Sequence, residues 1–300
     1  MDANRQGGPA AGAGGLRTEV AFEQDSQIIA ASHSEVVLAE AGDKHILVAF
    51  VGKPHRIDDR GKSQVGKALR EIGFVDYFRA EQLGWVLYLE GSTDLSILRE
   101  LARKLEHPAA PLLESPFVYY VGNKFAKAKD HFWGLREAKS DFVGIVILDR
   151  QDNYRLESNA AITEMMWRRR EIENYLCDEE VLIEFARSQN EFNDLPLFAD
   201  REGSRHEAVM REVIADVSRS LELLSRPSPW SSDIKATDDF LDPLFENYYR
   251  RLSLPNLLRK TDYHVLTRFL PVERIDPEIV EKLDAIVEIA RRANPVTGDA

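Results

Sequence analysis

Two acidic clusters each follow directly on an apolar run. Trp85–Leu89 (WVLYL) leads into Glu90-Gly91-Ser92-Thr93-Asp94, and Phe142–Leu148 (FVGIVIL) leads into Asp149-Arg150-Gln151-Asp152. Carboxylates that end two strands of one parallel sheet can share a hard divalent cation, which prefers oxygen ligands. Gly91 permits a tight turn, and Asp94, about one helical turn beyond Glu90, can face the same point. Taken alone, each cluster has a plainer reading. The first is a helix start, with Ser92 or Thr93 as N-cap and Asp94 favouring the helix dipole. The second is a solvated turn. Their shared position at the ends of buried strands favours the cation site.

A third segment is Trp167-Arg168-Arg169-Arg170-Glu171-Ile172-Glu173-Asn174-Tyr175-Leu176. Its three arginines can neutralise phosphates. A bare charge run of this kind also makes a solvated helix face, anchored by Trp167, Ile172 and Leu176. Lys124, with Lys127 and Lys129, offers further backbone contacts of the sort that hold phosphate without reading sequence.

The elements that must position these groups alternate in a βαβ manner from residue 85. Leu95, Leu98, Leu101, Ala102 and Leu105 line one face of a helix that His107-Pro108 ends. Phe117–Val121 (FVYYV) reads as a second strand, Gly122 as a turn and residues 123–139 as a helix. Strands apolar almost throughout suit a parallel sheet covered on both faces. Upstream, Gln27–Ala31 and Ile46–Val51 read as short buried strands, residues 52–63 as a loop, and Val65, Ala68, Leu69 and Ile72 as one helix face. After about residue 158 the signal turns helical, with patterns at 203–225, 237–252, 262–270 and 276–292. The expected fold class is α/β, a mostly parallel βα sheet with a C-terminal helical extension.

Composition sets the frame. The chain has 300 residues, 39 Lys+Arg against 51 Asp+Glu, and a formal net charge of −12. Hydrophobic residues make up 44%, which excludes wholesale disorder. Residues 1–17, rich in Gly and Ala, are expected to form a disordered leader. The acidic balance argues against coating nucleic acid by charge alone, but a carboxylate metal site is itself acidic. The single cysteine, Cys177, excludes an internal disulfide framework and cysteine-rich zinc sites, and fits a cytoplasmic location. No apolar run approaches the roughly 18 residues of a membrane helix. The seven histidines are scattered, with no H-E-x-x-H. No G-x-S-x-G elbow and no G-x-G-x-x-G after a strand is present.

The EGxTD strand end, the LDRQD strand end and the WRRREIENYL segment, in this order and spacing, together resemble the Toprim domain of overcoming-lysogenization-defect (OLD) family nucleases. The resemblance covers roughly residues 80–290. It implies a βα fold that binds Mg²⁺ or Mn²⁺ through acids and hydrolyses DNA, placed C-terminal to an ATPase of the ABC/AAA type and acting in phage defence or DNA processing. On that resemblance Glu90 matches a metal ligand that can also act as acid or base. Asp94 is the second acid of its motif, Asp149 the first acid of a D-x-D, and Glu173 a further ligand. The second D-x-D position is Gln151, a poorer ligand, with Asp152 one residue later as the substitute. The family's late lysine has two candidates, Lys260 in LLRKTDYH and Lys235 in SDIKATDDF. Lys124 and Arg168, Arg169 and Arg170 become nucleic-acid contacts.

Upstream, Gln27–Ser34 (QIIAASHS) resembles the strand and histidine switch of such ATPases, with His33 at the position that senses nucleotide. Gly61-Lys62-Ser63 supplies a GKS, but the residue five before Gly61 is Arg56, so no P-loop is formed. The resemblance thus implies a chain beginning inside an ATPase. Residues 18–60 would be its remnant, 61–200 the Toprim-like domain and 201–300 the helical extension. ATP would be used only with a missing half supplied by an ATPase subunit, and self-association is the other expected contact. The alternative expectation is a non-catalytic Toprim-like regulatory or scaffold subunit of an ATPase complex. A primase- or topoisomerase-like Toprim fits less well, since primase-type zinc cysteines are absent.

Overall fold

The computed structural model describes residues 74–189 and 196–295, with Ile29, Ile46, Val48, Ala49, His55 and Arg56 before them. The leader, His33, the GKS, the helix at 65–72 and all of the strand expected at Gln27–Ala31 except Ile29 lie outside the described residues; Ile29 is exposed and in no strand, contrary to a buried strand there. Val48–Ala49 pairs antiparallel with His55–Arg56, so a short bridge stands where the polar composition of 52–63 suggested only loop.

One sheet organises the rest. Its strands are β1 (Trp85–Leu89), β2 (Val118–Tyr120), β3 (Val143–Leu148) and β4 (Ile162–Met166), in spatial order β2-β1-β3-β4, with every pairing parallel. The fold is α/β. β1 and β3 are central and buried at every position, which is why both read as unbroken apolar runs. Alternate side chains feed two cores. Trp85, Leu87, Leu89, Ile145 and Ile147 face one, and Val86, Tyr88, Val146 and Leu148 face the other.

Helices cover both faces. α1 (Phe74–Leu83) precedes β1. α2 (Ser92–Lys104) and the short α3 (Ala110–Glu114) carry the chain from β1 to β2, and α4 (Phe125–Ala138) from β2 to β3. α2 packs into the first core and α4 into the second. A Cβ at Gly144 of β3 would stand 3.0 Å from the Phe132 ring of α4 and 3.2 Å from Val86, so glycine lets that helix close on the sheet.

Beyond β4 the chain is helical: α5 (Glu179–Ser188), α6 (Pro196–Leu223), a π-turn at Ala236–Leu241 leading into α7 (Asp242–Leu252), a 3₁₀ segment at Lys260–Phe269 and α8 (Pro277–Arg292). These segments share one apolar core with β1, β3 and α2, and α6 runs across residue 200. The helical extension is therefore continuous with the sheet rather than appended to it.

Two expectations are corrected. The helical signal after residue 158 conceals a strand, β4. Its sequence, ITEMM, places a glutamate mid-strand, and Glu164 is only 3% exposed. Its carboxylate accepts from the Glu157 N–H at 2.7 Å and the Tyr154 hydroxyl, and Lys129 pairs with it at 3.1 Å. A buried charge so satisfied is tolerated in a strand. The segment 167–176 is not a solvated helix either. Trp167 follows β4, bends occupy 168–171, and Ile172–Tyr175 form a single buried 3₁₀ turn.

Candidate functional site

The crossover through α2 takes the chain from β1 to one side of the sheet, and α4 returns it to the other side of β1. The strand order therefore reverses between β1 and β3, and the crevice beyond their carboxyl ends is where open α/β sheets bind ligands. Glu90 and Asp149 are the first residues past those two ends.

The Glu90 and Asp149 carboxyl groups lie close enough to act on each other. The Asp149 carboxyl is accordingly held well above the usual carboxylate range, by burial first, then by Glu90, and then by the charges of Asp94 and Glu173. Oε2 of Glu90 is buried and has no hydrogen-bond partner. Asp94, in the first turn of α2, folds back so that Oδ2 accepts from the Glu90 N–H at 3.1 Å, fixing the turn that carries Glu90. Burial and Glu90 push Asp94 up to about 6, against the pull of the Glu90 and Gly91 N–H groups and the Thr93 hydroxyl.

Glu173 comes from the 3₁₀ turn and is 3% exposed. Burial, then Glu171 and Asp94, push its carboxyl up to about 8, while Lys260 pulls it down. The turn is clamped. Glu171 accepts from the Thr237 N–H and caps the turn, its own N–H donating to Asn174 Oδ1 at 2.9 Å. Asn174 donates in turn to the carbonyls of Ser231 and Ile234. Lys260 opens the 3₁₀ segment at the exposed side. Burial lowers its pKa, but Glu173, Glu171, Glu90 and Asp238 together raise it above the ordinary value. The structure thus brings Glu90, Asp94, Asp149, Glu173 and Lys260 together. Glu171 was not singled out by sequence, because its neighbours made it look like part of a charge run.

Other expected site residues go elsewhere. Asp152 is exposed and pairs with Arg150 at 3.3 Å and Arg170 at 3.0 Å, so it does not join the cluster as a substitute ligand. Gln151 donates to Asn123 Oδ1 at 2.8 Å and to its carbonyl, tying the β3 end to the β2–α4 turn. Lys235 is exposed and pairs with Asp238 at 3.6 Å. Arg168 pairs with Glu281. Arg169 donates to the Asn174 carbonyl, pairs with Asp276 at 3.3 Å and lies over the Tyr175 ring. These arginines act first as ties within the fold. Lys124 is exposed at the start of α4.

Among the described residues, no three His, Cys, Asp or Glu side chains form a ready-made metal-ligand set. No protein-family model and no curated protein matches the chain. The geometry of the carboxylate cluster therefore carries the functional reading.

Proposed function

We propose that this chain is a Toprim-type, Mg²⁺- or Mn²⁺-dependent nuclease that hydrolyses DNA phosphodiester bonds, as part of an OLD-like ATPase–nuclease acting in phage defence or DNA processing. The observation that carries the reading is the Glu90–Asp149 pair. Two carboxyl groups meet at the switch point of a parallel sheet, with an unpartnered buried oxygen and two further buried acids behind them.

The residues fit a hard cation. Every donor is oxygen, and a Mg²⁺ ion is commonly held by one or two carboxylates, with water and substrate phosphate completing its shell. A pair is therefore enough where a closed set of three is absent. When bound, such an ion acidifies a water and neutralises phosphate charge. Glu90 and Asp149 would hold it, and Asp149, whose burial and acidic neighbours favour the acid form, would give up a proton as it does so. Asp94 keeps Glu90 in place through the Glu90 N–H. Lys260, turned toward Glu90 and Glu173, would offset charge building on the phosphoryl oxygens.

The test is supercoiled plasmid incubated with Mg²⁺ or Mn²⁺, with calorimetric Mn²⁺ binding in parallel. Nicking and binding by the wild type, both lost in Glu90→Ala and Asp149→Ala, support the nuclease. The second reading is a non-catalytic scaffold. It is favoured by Gln151 at the second acid position and by Asp152 being held by two arginines. Absence of both nicking and Mn²⁺ binding would decide for it.

A further inference from the structure

Beside the acidic pair, the end of β2 presents a different chemistry. Tyr120 is the last residue of β2, in register with Leu89, the residue before Glu90. Beyond it, the Val121 N–H donates to the Leu89 carbonyl at 2.9 Å and the Gly122 N–H to the Glu90 carbonyl at 3.1 Å. The Tyr120 side chain is 37% exposed. Its neighbour Tyr119 points to the other face, where its ring stacks on His131 at 3.8 Å and is fully committed. In register with Leu89, Tyr120 stands on the α2 face of the sheet, one residue short of the Glu90 level, where Arg99 and Asp94 also act on its hydroxyl.

The turn that follows is open and basic. Gly122 has φ +58°, and nothing lies within 4 Å of where a Cβ would stand, so another molecule's backbone can approach closely. Lys124 is exposed just beyond. Lys127, also exposed, is committed to the other face, donating to the Tyr120 carbonyl at 3.2 Å with its ammonium 5.4 Å over the Tyr119 ring. An exposed aromatic ring followed, across an open turn, by the exposed Lys124 suits a strand whose base stacks while a neighbouring phosphate pairs. The chain as a whole repels a polyanion, with a net charge of −12. Local stacking, rather than long-range attraction, must then supply much of the affinity.

We infer that Tyr120, the Gly122 turn and Lys124 form a subsite for single-stranded nucleic acid, in which Tyr120 stacks on an unpaired base and Lys124 holds a neighbouring phosphate. Only a base free of its duplex partner can lie on that ring. The inference rests on the nuclease reading for its purpose, but its binding test does not need cleavage.

The experiment is fluorescence anisotropy of a labelled oligothymidylate, and of a duplex of equal length, in EDTA over a range of salt. The expected result is tighter binding of the single strand. Tyr120→Ala weakens it by about 5- to 100-fold, and the conservative Tyr120→Phe restores it. Lys124→Ala reduces the salt slope by about one. The subsite is overturned if the wild type fails to bind the single strand, if the duplex binds as well, or if Tyr120→Ala binds unchanged. Plasmid nicking separates the two ideas. Nicking with an indifferent Tyr120→Ala removes the subsite alone. Tyr120-dependent binding by a protein that never nicks keeps the subsite and removes the nuclease.

Discussion

The molecule holds buried carboxylates in two contrasting ways. On α8, Glu278 is 1% exposed, yet Oε1 accepts from the Arg168 N–H at 2.9 Å and pairs with Lys282 at 3.1 Å, while Oε2 accepts from the Tyr175 hydroxyl. Lys282 itself lies over the Trp167 ring. At the sheet edge, Glu90 and Asp149 have each other, an orphaned oxygen, and two more acids for neighbours. One sequence thus supplies a full set of partners where a glutamate serves the fold and withholds them where the sheet topology makes a crevice. A buried carboxylate oxygen left without a partner at such a place is what the proposed cation site rests on.

Removing Lys282 should give the largest effect and convert the first region into a copy of the second. Lys282→Ala leaves Glu278 buried and uncompensated, and is expected to cost about 3–5 kcal/mol in urea unfolding. Loss of Glu278 would also free Tyr175, and with it the turn that carries Glu173.

Neutralising the acidic cluster should do the reverse. Because Glu173 is pushed up to about 8 from an ordinary 4.5, the folded protein holds a proton that the unfolded chain gives up. Stability in EDTA should be highest below pH 4.5 as far as this group is concerned, and should fall as pH rises toward 8. Glu173→Gln removes that loss. It is expected to unfold later than wild type at pH 8, by about 1–3 kcal/mol, with the gap closing at pH 5. Thermal melts at the two pH values check the sign. A gap that widens at pH 5 would mean Glu173 is ionised and paired in the folded state.

How much of this contrast could be read from sequence follows from where each partner comes from. β1 and β3 were legible because burial on both faces erases alternation and leaves WVLYL and FVGIVIL. Glu90 and Asp149 were legible because a strand end fixes the location of the next residue. β4 was not, since Glu164 depends on Lys129 and on the 154–158 segment, which local pattern cannot supply. Arg168 and Arg169 looked like phosphate ligands because Glu281 and Asp276, their partners, are more than a hundred residues away. The sequence leans to Lys260 over Lys235, and the structure gives the reason. Both sit in polar surroundings, and only the packing of the 3₁₀ segment on α2 turns Lys260 toward the acids.

A cation should act on the two regions unequally. If Mg²⁺ is held by Glu90 and Asp149, it stabilises the folded chain by mass action, about 1.4 kcal/mol at ten times its dissociation constant. Asp149→Asn should be more stable than wild type in EDTA, through lost repulsion, and should gain nothing from Mg²⁺. Lys282→Ala, although weakened, should still respond to the metal. A Mg²⁺ response that survives in Asp149→Asn would place the cation elsewhere.

The smallest effect is expected at Asp152, and it bears on the departure from D-x-D. Asp152 is exposed, and its ion pairs with Arg150 and Arg170 lie in water. Such pairs contribute about 0–1 kcal/mol, so Asp152→Asn should leave the unfolding free energy within about 1 kcal/mol of wild type. Cleavage reads a different quantity. On the proposed nuclease reading, if Asp152 stays with its arginines throughout, Asp152→Asn should nick plasmid at the wild-type rate, with Glu90 and Asp149 alone holding the metal. A large loss of nicking with unchanged stability would mean that Asp152 leaves Arg170 to join the cluster when substrate and metal bind. Gln151, tied to Asn123, would then be the pivot about which the β3 end turns.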